Sequence, residues 1–183
     1  MRFIPLGGTL HGMRLLAPLL AAVLFLAGCG GDTDHNEADI DFAQQMVPHH
    51  EQALAMADLV AGAGASVEIR DLANQIAKTQ RPEIRTLKAW LTDWDAPDPP
   101  GHGMAHMRED AMMSDFRMNQ LAAATGTEFD RLWLKSMIQH HEGAVTMAER
   151  EMRDGENSEA IDLAHAITRT QVREIDLMKE LLR

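Results

Sequence analysis

Apolar residues in the segment about 67–92 recur at three- and four-residue steps, which is the spacing of an amphipathic helix. This stripe consists of Ile69, Leu72, Ile76, Ile84, Leu87 and Leu91. Signals for β-strands are absent from the sequence, because Tyr does not occur and Val is sparse and scattered. The hydrophobic pattern therefore predicts an all-α fold.

The chain contains the same unit twice, at an offset of 91 residues. Met46 to Ala57 returns as Met137 to Ala148, and the two copies share the pattern M-x-x-H-H-E-x-A-x-x-M-A. The copies align without a gap over 39–92 and 130–183, with roughly a third of the aligned positions identical. Each copy is therefore expected to be one supersecondary unit that buries its apolar face against the other copy.

Each repeat predicts a helical hairpin, because turn-forming residues at 62–64 and 154–157 interrupt the helical pattern. The predicted helices span about 40–61, 67–92, 130–153 and 158–182. The connector between the repeats, 93–129, adds a short helix at about 109–124. Four amphipathic helices bury their stripes best against one another, so repeat one (39–92) and repeat two (130–183) are expected to form one four-helix bundle within a single domain, 39–183.

The N-terminal segment predicts export and lipid attachment. Arg2 and Arg14 supply positive charge, and the apolar stretch 15–27 is too short to span a bilayer, as in a secretory signal. The string Leu26-Ala27-Gly28-Cys29 resembles the lipobox of bacterial lipoproteins, whose Cys carries the lipid. We expect a signal peptide over 1–28, a flexible tether over 29–38, and a membrane anchor in the bacterial envelope, facing the periplasm or the cell surface. An ordinary signal peptide with an incidental Cys is the alternative.

Charge and composition limit the classes of partner and reaction. The formal net charge is −11 and becomes −13 without residues 1–28, because those residues hold two Arg and no acidic side chain. An acidic surface argues against nucleic acid as a partner and favours cations. Cys29 is the only Cys, so a soft metal site must be built from Met and His. No Gly-rich phosphate loop, Ser-His-Asp arrangement or free nucleophilic thiol is evident in the sequence, so we expect a binding protein rather than an enzyme.

The repeated motif places potential metal ligands on one helix face. At about 100° per residue its two His and two Met fall within roughly 120°, whereas its Glu points to the opposite side. Imidazole and thioether together suit copper, and thioether suits Cu(I) in particular. The predicted metal ligands are Met46, His49, His50, Met56, Met137, His140, His141 and Met147. The alternative is a set of core His that are hydrogen-bonded and bind no metal.

Further polar residues fall on or beside the apolar stripes. Gln80 and Glu83, with their copies Gln171 and Glu174, are expected to orient the ligating His by accepting their ring N–H groups. Direct ligation by either Glu, or a buried Gln that bonds the backbone near Pro82, are the alternatives. Accessory metal candidates are His102, Met104, His106 and Met107 in the connector, and His165.

These motifs together resemble a known bacterial family. The paired M-x-x-H-H-x-x-A-x-x-M-A helices, the Q-x-x-E-I strings, the Met-rich middle segment, Gly126-Thr127-Glu128-Phe129-Asp130 and Trp133-Leu134 look like domain of unknown function 305 (DUF305), over about 38–183. The resemblance implies a ferritin-like helical bundle in secreted or envelope proteins. It also implies copper binding and copper resistance, which are known for at least one periplasmic member. Carried over by residue, the implied ligands are the eight His and Met of the repeated motif, with Met104, Met107, Met112 and Met113 as weaker candidates.

Three functions are open at the level of the sequence. The first is a lipid-anchored protein that binds copper or silver, with Cu(I) favoured, and sequesters it or passes it to a delivery partner of unknown identity. The second is a structural or partner-binding envelope lipoprotein whose core His titrate near neutral pH. The third is a ferritin-type non-haem iron oxidase, which is less favoured because such sites use inward-facing Glu-x-x-His motifs that this sequence lacks.

Overall fold

The computed structural model of the protein describes residues 35–97 and 112–183. Over these two stretches the chain forms five helices and no strand. The helices are α1 (Glu37–Leu59), α2 (Val67–Asp93), α3 (Asp115–Ala123), α4 (Gly126–Asp154) and α5 (Ser158–Leu181). The prediction of an all-α bundle made of two duplicated hairpins and a short extra helix is confirmed. Within the described stretches, none of these helices has the length and apolar character needed to cross a membrane.

The helix ends follow from capping side chains. The Asn36 side chain accepts hydrogen bonds from the backbone N–H groups of Ala38 and Asp39, and the Asp39 carboxylate accepts the Asn36 N–H. This capping box starts α1 at Glu37, so the last residues of the predicted tether, 29–38, belong to the helix. Ser114 caps α3 and starts it later than the predicted residue 109. Pro48 lies inside α1 and Pro82 lies inside α2, and neither residue ends its helix.

The four long helices bury two separate apolar clusters, one toward each end of the bundle. One cluster surrounds Phe129 and Trp133 and takes residues from the C-terminal part of α1 and the N-terminal part of α2. The other surrounds Phe42 and Leu87 and takes residues from the C-terminal part of α4 and the N-terminal part of α5. Since α1 also packs against α4, the core crosses the boundary between the repeats. The middle of the bundle, between the two clusters, is occupied by the repeated His motif.

In each repeat, one carboxylate accepts hydrogen bonds from the hairpin turn of the other repeat. Asp39 accepts hydrogen bonds from the backbone N–H groups of Glu156 and Asn157, at 3.2 and 3.0 Å. Asp130, which is the repeat equivalent of Asp39, accepts the backbone N–H of Ser66 at 3.1 Å. These reciprocal contacts fix the rotation of one hairpin against the other and so determine which side chains meet in the middle layer.

We expect Asp130→Ala to lower the free energy of unfolding by about 1 kcal/mol, because the Ser66 N–H loses a charged acceptor near the surface. Asp39→Ala should cost more, since Asp39 is fully buried and accepts three backbone N–H groups. Urea unfolding followed by circular dichroism measures both. Equal costs for the two variants would contradict this interpretation.

Candidate metal centre

The middle layer of the bundle is polar and buried. His49, His50 and His141 are fully buried and His140 is 2% exposed. α1 supplies the first pair and α4 the second. Buried polar residues of α2 and α5 complete the layer, namely Gln80, Gln171 and Glu174. Both repeats therefore contribute to one site.

The imidazoles of the two repeats meet at the centre of this layer. The ring centroids of His49 and His140 are 3.6 Å apart, with an interplanar angle of 31°. Within each dipeptide the ring centroids lie 6.5 Å apart for His49 and His50, and 6.3 Å apart for His140 and His141. An imidazole binds a metal through a nitrogen lone pair in the plane of the ring. Because His49 and His140 present their faces to each other, shared binding of an ion requires at least one of these rings to turn.

In each repeat, a carboxylate from the second helix of the hairpin contacts the second His of the H-H dipeptide. His50 Nε2 lies 2.8 Å from Glu83 Oε2, and His141 Nε2 lies 2.8 Å from Glu174 Oε2. This is the contact that an orienting role requires, since it fixes one ring nitrogen and leaves Nδ1 for another partner. The duplicated sequence thus produces duplicated hydrogen bonds across the layer.

The motif Glu points outward in both repeats, as the helical geometry predicts. Glu51 pairs with Lys88 at 2.6 Å, and the equivalent Glu142 pairs with Lys179 at 3.2 Å. All four of these side chains are at least two-fifths exposed. These pairs therefore lie on the surface and leave the charge of the buried layer unchanged.

Burial keeps the imidazoles of His140 and His141 neutral. It holds the pKa of His140 well below the usual 6.5, and the neighbouring charges of His49, His141 and His50 act in the same direction. Burial also lowers the pKa of His141, although the hydrogen bond and negative charge of Glu174 oppose that shift. Neutral imidazole is the form that binds metals, so both rings are in the ligating state at neutral pH.

Several buried polar atoms of the layer have no hydrogen-bond partner among the described residues. They are Nδ1 of His50 and His141, both ring nitrogens of His140, both amide atoms of Gln80, and Oε1 of Gln171 and Glu174. Such atoms cost free energy unless an ion or ordered water satisfies them. At the same time, in residues 35–97 and 112–183 no three His, Cys, Asp or Glu side chains are already grouped as metal ligands. The donor chemistry fits a soft or borderline ion, and the donors must rearrange to bind it.

The four predicted Met ligands flank the His layer in two pairs. Met56 and Met137 belong to the apolar cluster around Trp133, whereas Met46 and Met147 belong to the cluster around Phe42. Met46 and Met56 are ten residues apart on α1, which corresponds to a rise of about 15 Å. One ion cannot contact both, so the eight predicted ligands cannot all bind a single metal. Each pair nevertheless combines one thioether from each repeat.

The DUF305 family model, described as a domain of unknown function, matches residues 39–182. The chain belongs to the DUF305 family. The match spans both repeats and the connector, so the duplication, the His layer and the bundle described above are features of a DUF305 domain in this chain. No curated protein gives a significant match.

Solved structures of two DUF305 proteins and of CopM have a similar fold. A DUF305 protein from Streptomyces coelicolor is 32% identical, covers 79% of this chain and 90% of its own, and has a TM-score of 0.73. A DUF305 fragment from Deinococcus radiodurans is 32% identical, covers 80% and 96%, and has a TM-score of 0.72. CopM in its Cu(I)-bound form is 31% identical, covers 78% and 94%, and has a TM-score of 0.65. CopM has also been solved with Cu(II), with silver and without metal.

Of the accessory residues predicted for this DUF305 protein, His165 lies in the part of the chain that the structure describes, and it does not join the central layer. His165 is exposed on α5, so it is separate from the buried imidazoles. His102, Met104, His106 and Met107 lie outside the described residues, as does Cys29. Their predicted roles in metal capture and lipid attachment stay predictions.

The sequence analysis missed a buried carboxyl pair near the N-terminus of α1. Asp39 is fully buried and Glu151, in α4, is 1% exposed. Burial, a hydrogen bond to Asp39 and the charges of Asp39 and Asp154 raise the pKa of Glu151 to about 8. Burial alone would raise the pKa of Asp39, but hydrogen bonds from Glu151 and three backbone N–H groups outweigh it and lower the value. The repeat contained a signal for this pair, because Val60 is the equivalent of Glu151.

Proposed function

We propose that this DUF305 protein binds copper, as Cu(I), in the buried His layer, with silver as an alternative ion, and that it sequesters or hands over copper in the bacterial envelope. The observation that carries the proposal is the meeting of two His-His pairs, one from each repeat, in a layer whose ring nitrogens include several without hydrogen-bond partners among the described residues. Copper and silver binding by CopM, which has a similar fold and is 31% identical to this chain, supports it.

The ligand set of this proposal is led by the four His. Glu83 and Glu174 orient His50 and His141 from α2 and α5. The two Met pairs stand at either side of the layer and supply the thioethers that favour Cu(I) over harder ions. Nothing in this set calls for a catalytic acid, base or nucleophile, so we propose binding rather than catalysis. The acidic envelope-facing chain would be held on its membrane by a lipid on Cys29.

A structural role for the His layer is the second candidate. It is favoured by the close contact of His49 and His140 and by the lack, within the described ranges, of three ready-grouped ligands. In that case the layer would hold ordered water and no metal.

Titration of the purified protein with Cu(I), Ag(I), Zn(II) and Fe(II), followed by native mass spectrometry, separates these functions. We expect retention of Cu(I) and Ag(I) after buffer exchange, weaker Zn(II) binding and no Fe(II) oxidation. Bound metal should also stabilise the fold by about 4 kcal/mol when free metal is 1,000 times Kd. Absence of copper uptake would favour the structural role, and iron uptake with O₂ consumption would favour an oxidase.

A further inference from the structure

The two carboxylates of the His layer differ in their access to solvent. The side chain of Glu83 is 14% exposed and that of Glu174 is 4% exposed. Oε1 of Glu174 is buried and has no hydrogen-bond partner among the described residues. The two residues are equivalent in the repeat and make the same 2.8 Å contact with a His. The difference therefore comes from packing around α2 and α5 and not from residue type.

A cation that reaches a buried layer must exchange water for protein ligands step by step. A carboxylate that is partly exposed to solvent and also contacts a buried imidazole attracts a cation to the edge of the layer, because Coulomb attraction strengthens as the local dielectric falls. Glu83 meets both conditions, since it is partly exposed and contacts fully buried His50. A carboxylate is also a poor match for Cu(I), so it would hold the ion briefly and release it to softer ligands.

Two basic side chains of α2 form ion pairs with carboxylates of α1. Lys88 pairs with Glu51 at 2.6 Å, and Arg81 lies 3.8 Å from Asp58. Their positive charges are partly compensated, so they oppose the approach of a cation to Glu83 less than free side chains would. Glu174 has no comparable opening, because its side chain is almost completely enclosed.

We propose that Glu83 is the entrance carboxylate of the His layer, and that Glu174 is its closed counterpart, which orients His141 without passing ions. This inference rests on the proposed copper function. It predicts that two changes of the same kind, at equivalent positions of the two repeats, have unequal effects on the rate of metal uptake.

Glu83→Gln and Glu174→Gln form a matched pair of variants, because each keeps the size of the side chain and removes its charge. Cu(I) is transferred anaerobically from a chromophoric chelator and followed by stopped-flow absorbance, with the dissociation constant measured separately. Both variants are expected to bind more weakly than the natural chain. Only Glu83→Gln is expected to slow association, by about tenfold, as removal of a local steering charge does, whereas Glu174→Gln should stay within about twofold of the natural rate.

A second measurement reports access without metal. Deuterium exchange at the imidazole C2 position, followed by NMR, should be faster for His50 than for His141 in the natural chain. Equal association rates for the two variants, or slower exchange at His50 than at His141, would overturn the inference while leaving copper binding intact. A natural chain that withdraws no copper from the chelator would instead overturn the proposed function.

Discussion

The Glu151→Val variant is expected to gain stability over the natural chain as the pH rises from 5 to 9, by roughly 3 kcal/mol across that range. Glu151 is buried beside Asp39. Its carboxyl group also lies close to Gly155, since a Cβ added at Gly155 would be 2.5 Å from Glu151 Oε1. Val60 occupies the equivalent position in repeat one, so an apolar side chain is compatible with the fold there. The change removes a carboxyl group whose ionised form is poorly accommodated.

The sign follows from the proton binding of the two states. The pKa of Glu151 is about 8 in the folded protein, against an ordinary value of 4.5. Between these values the folded state holds more protons than the unfolded state, so stability is present below about pH 4.5 and is lost as the pH rises to 8. The full shift in the pKa of Glu151 would correspond to a change in the free energy of unfolding larger than 3 kcal/mol, at about 1.4 kcal/mol per pKa unit. The expected change is smaller, because Glu151 borders a surface cavity of about 230 Å³, whose water screens the charge.

Urea unfolding at pH 5, 7 and 9 measures this effect. Glu149→Val is the control, because Glu149 lies on the exposed side of α4, two residues earlier. The stability difference between Glu151→Val and the natural chain should grow with pH and level off above 8, whereas the difference for Glu149→Val should stay nearly constant. A constant difference for Glu151→Val would show that Glu151 ionises normally in the folded state.

Replacing His140 with Ala is expected to lower the affinity for Cu(I) by at least about 100-fold, which corresponds to about 3 kcal/mol. His140 is buried where the two repeats meet, and its ring centroid lies 3.6 Å from that of His49. Burial lowers its pKa and keeps the ring neutral. Loss of one of the few nitrogen ligands of a soft ion leaves no equivalent donor in reach. Competition against a Cu(I) chelator of known affinity gives the dissociation constant.

His165→Ala is the matched control for this prediction, since it removes an exposed imidazole from α5. It should leave Cu(I) affinity unchanged. Circular dichroism and thermal unfolding check that His140→Ala is folded, because the cavity it leaves carries its own cost. The assignment to the His layer would be wrong if folded His140→Ala kept the natural Cu(I) affinity and His165→Ala lost it. In that case the copper site would lie on the surface of α5.

The fold was predictable because the sequence patterns that specify it are local and occur in both repeats. Apolar residues at helical spacing, turns at 62–64 and 154–157, and an ungapped repeat specify two equivalent hairpins, and one symmetric association buries both stripes. The helix starts were less predictable. α1 begins at Glu37 because Asn36 and Asp39 form a capping box, and α3 begins only after Ser114. Such boundaries depend on single side chains and not on the periodic pattern.

The site was predictable in its residues and less so in its geometry. Helical phase alone places His49, His50 and their copies inward, and the repeat points to Glu83 and Glu174 as partners. Phase does not show which residues of two packed helices lie at the same height, so the pairing of Met56 with Met137 and of Met46 with Met147 required the structure. The Asp39–Glu151 pair depends on contact between residues far apart in the chain. Its one signal in the sequence is that repeat two has Glu151 at the position where repeat one has Val60.

X-ray absorption spectroscopy of the Cu(I)-loaded protein identifies the atoms bound to copper and so shows whether the His layer holds the ion. We expect nitrogen neighbours with the outer-shell scattering of imidazole rings, and loss of that signal when His49 and His140 are both replaced by Ala. A first shell made only of sulfur, or an unchanged imidazole signal in the doubly substituted protein, would contradict the assignment of copper to the layer where the two repeats meet.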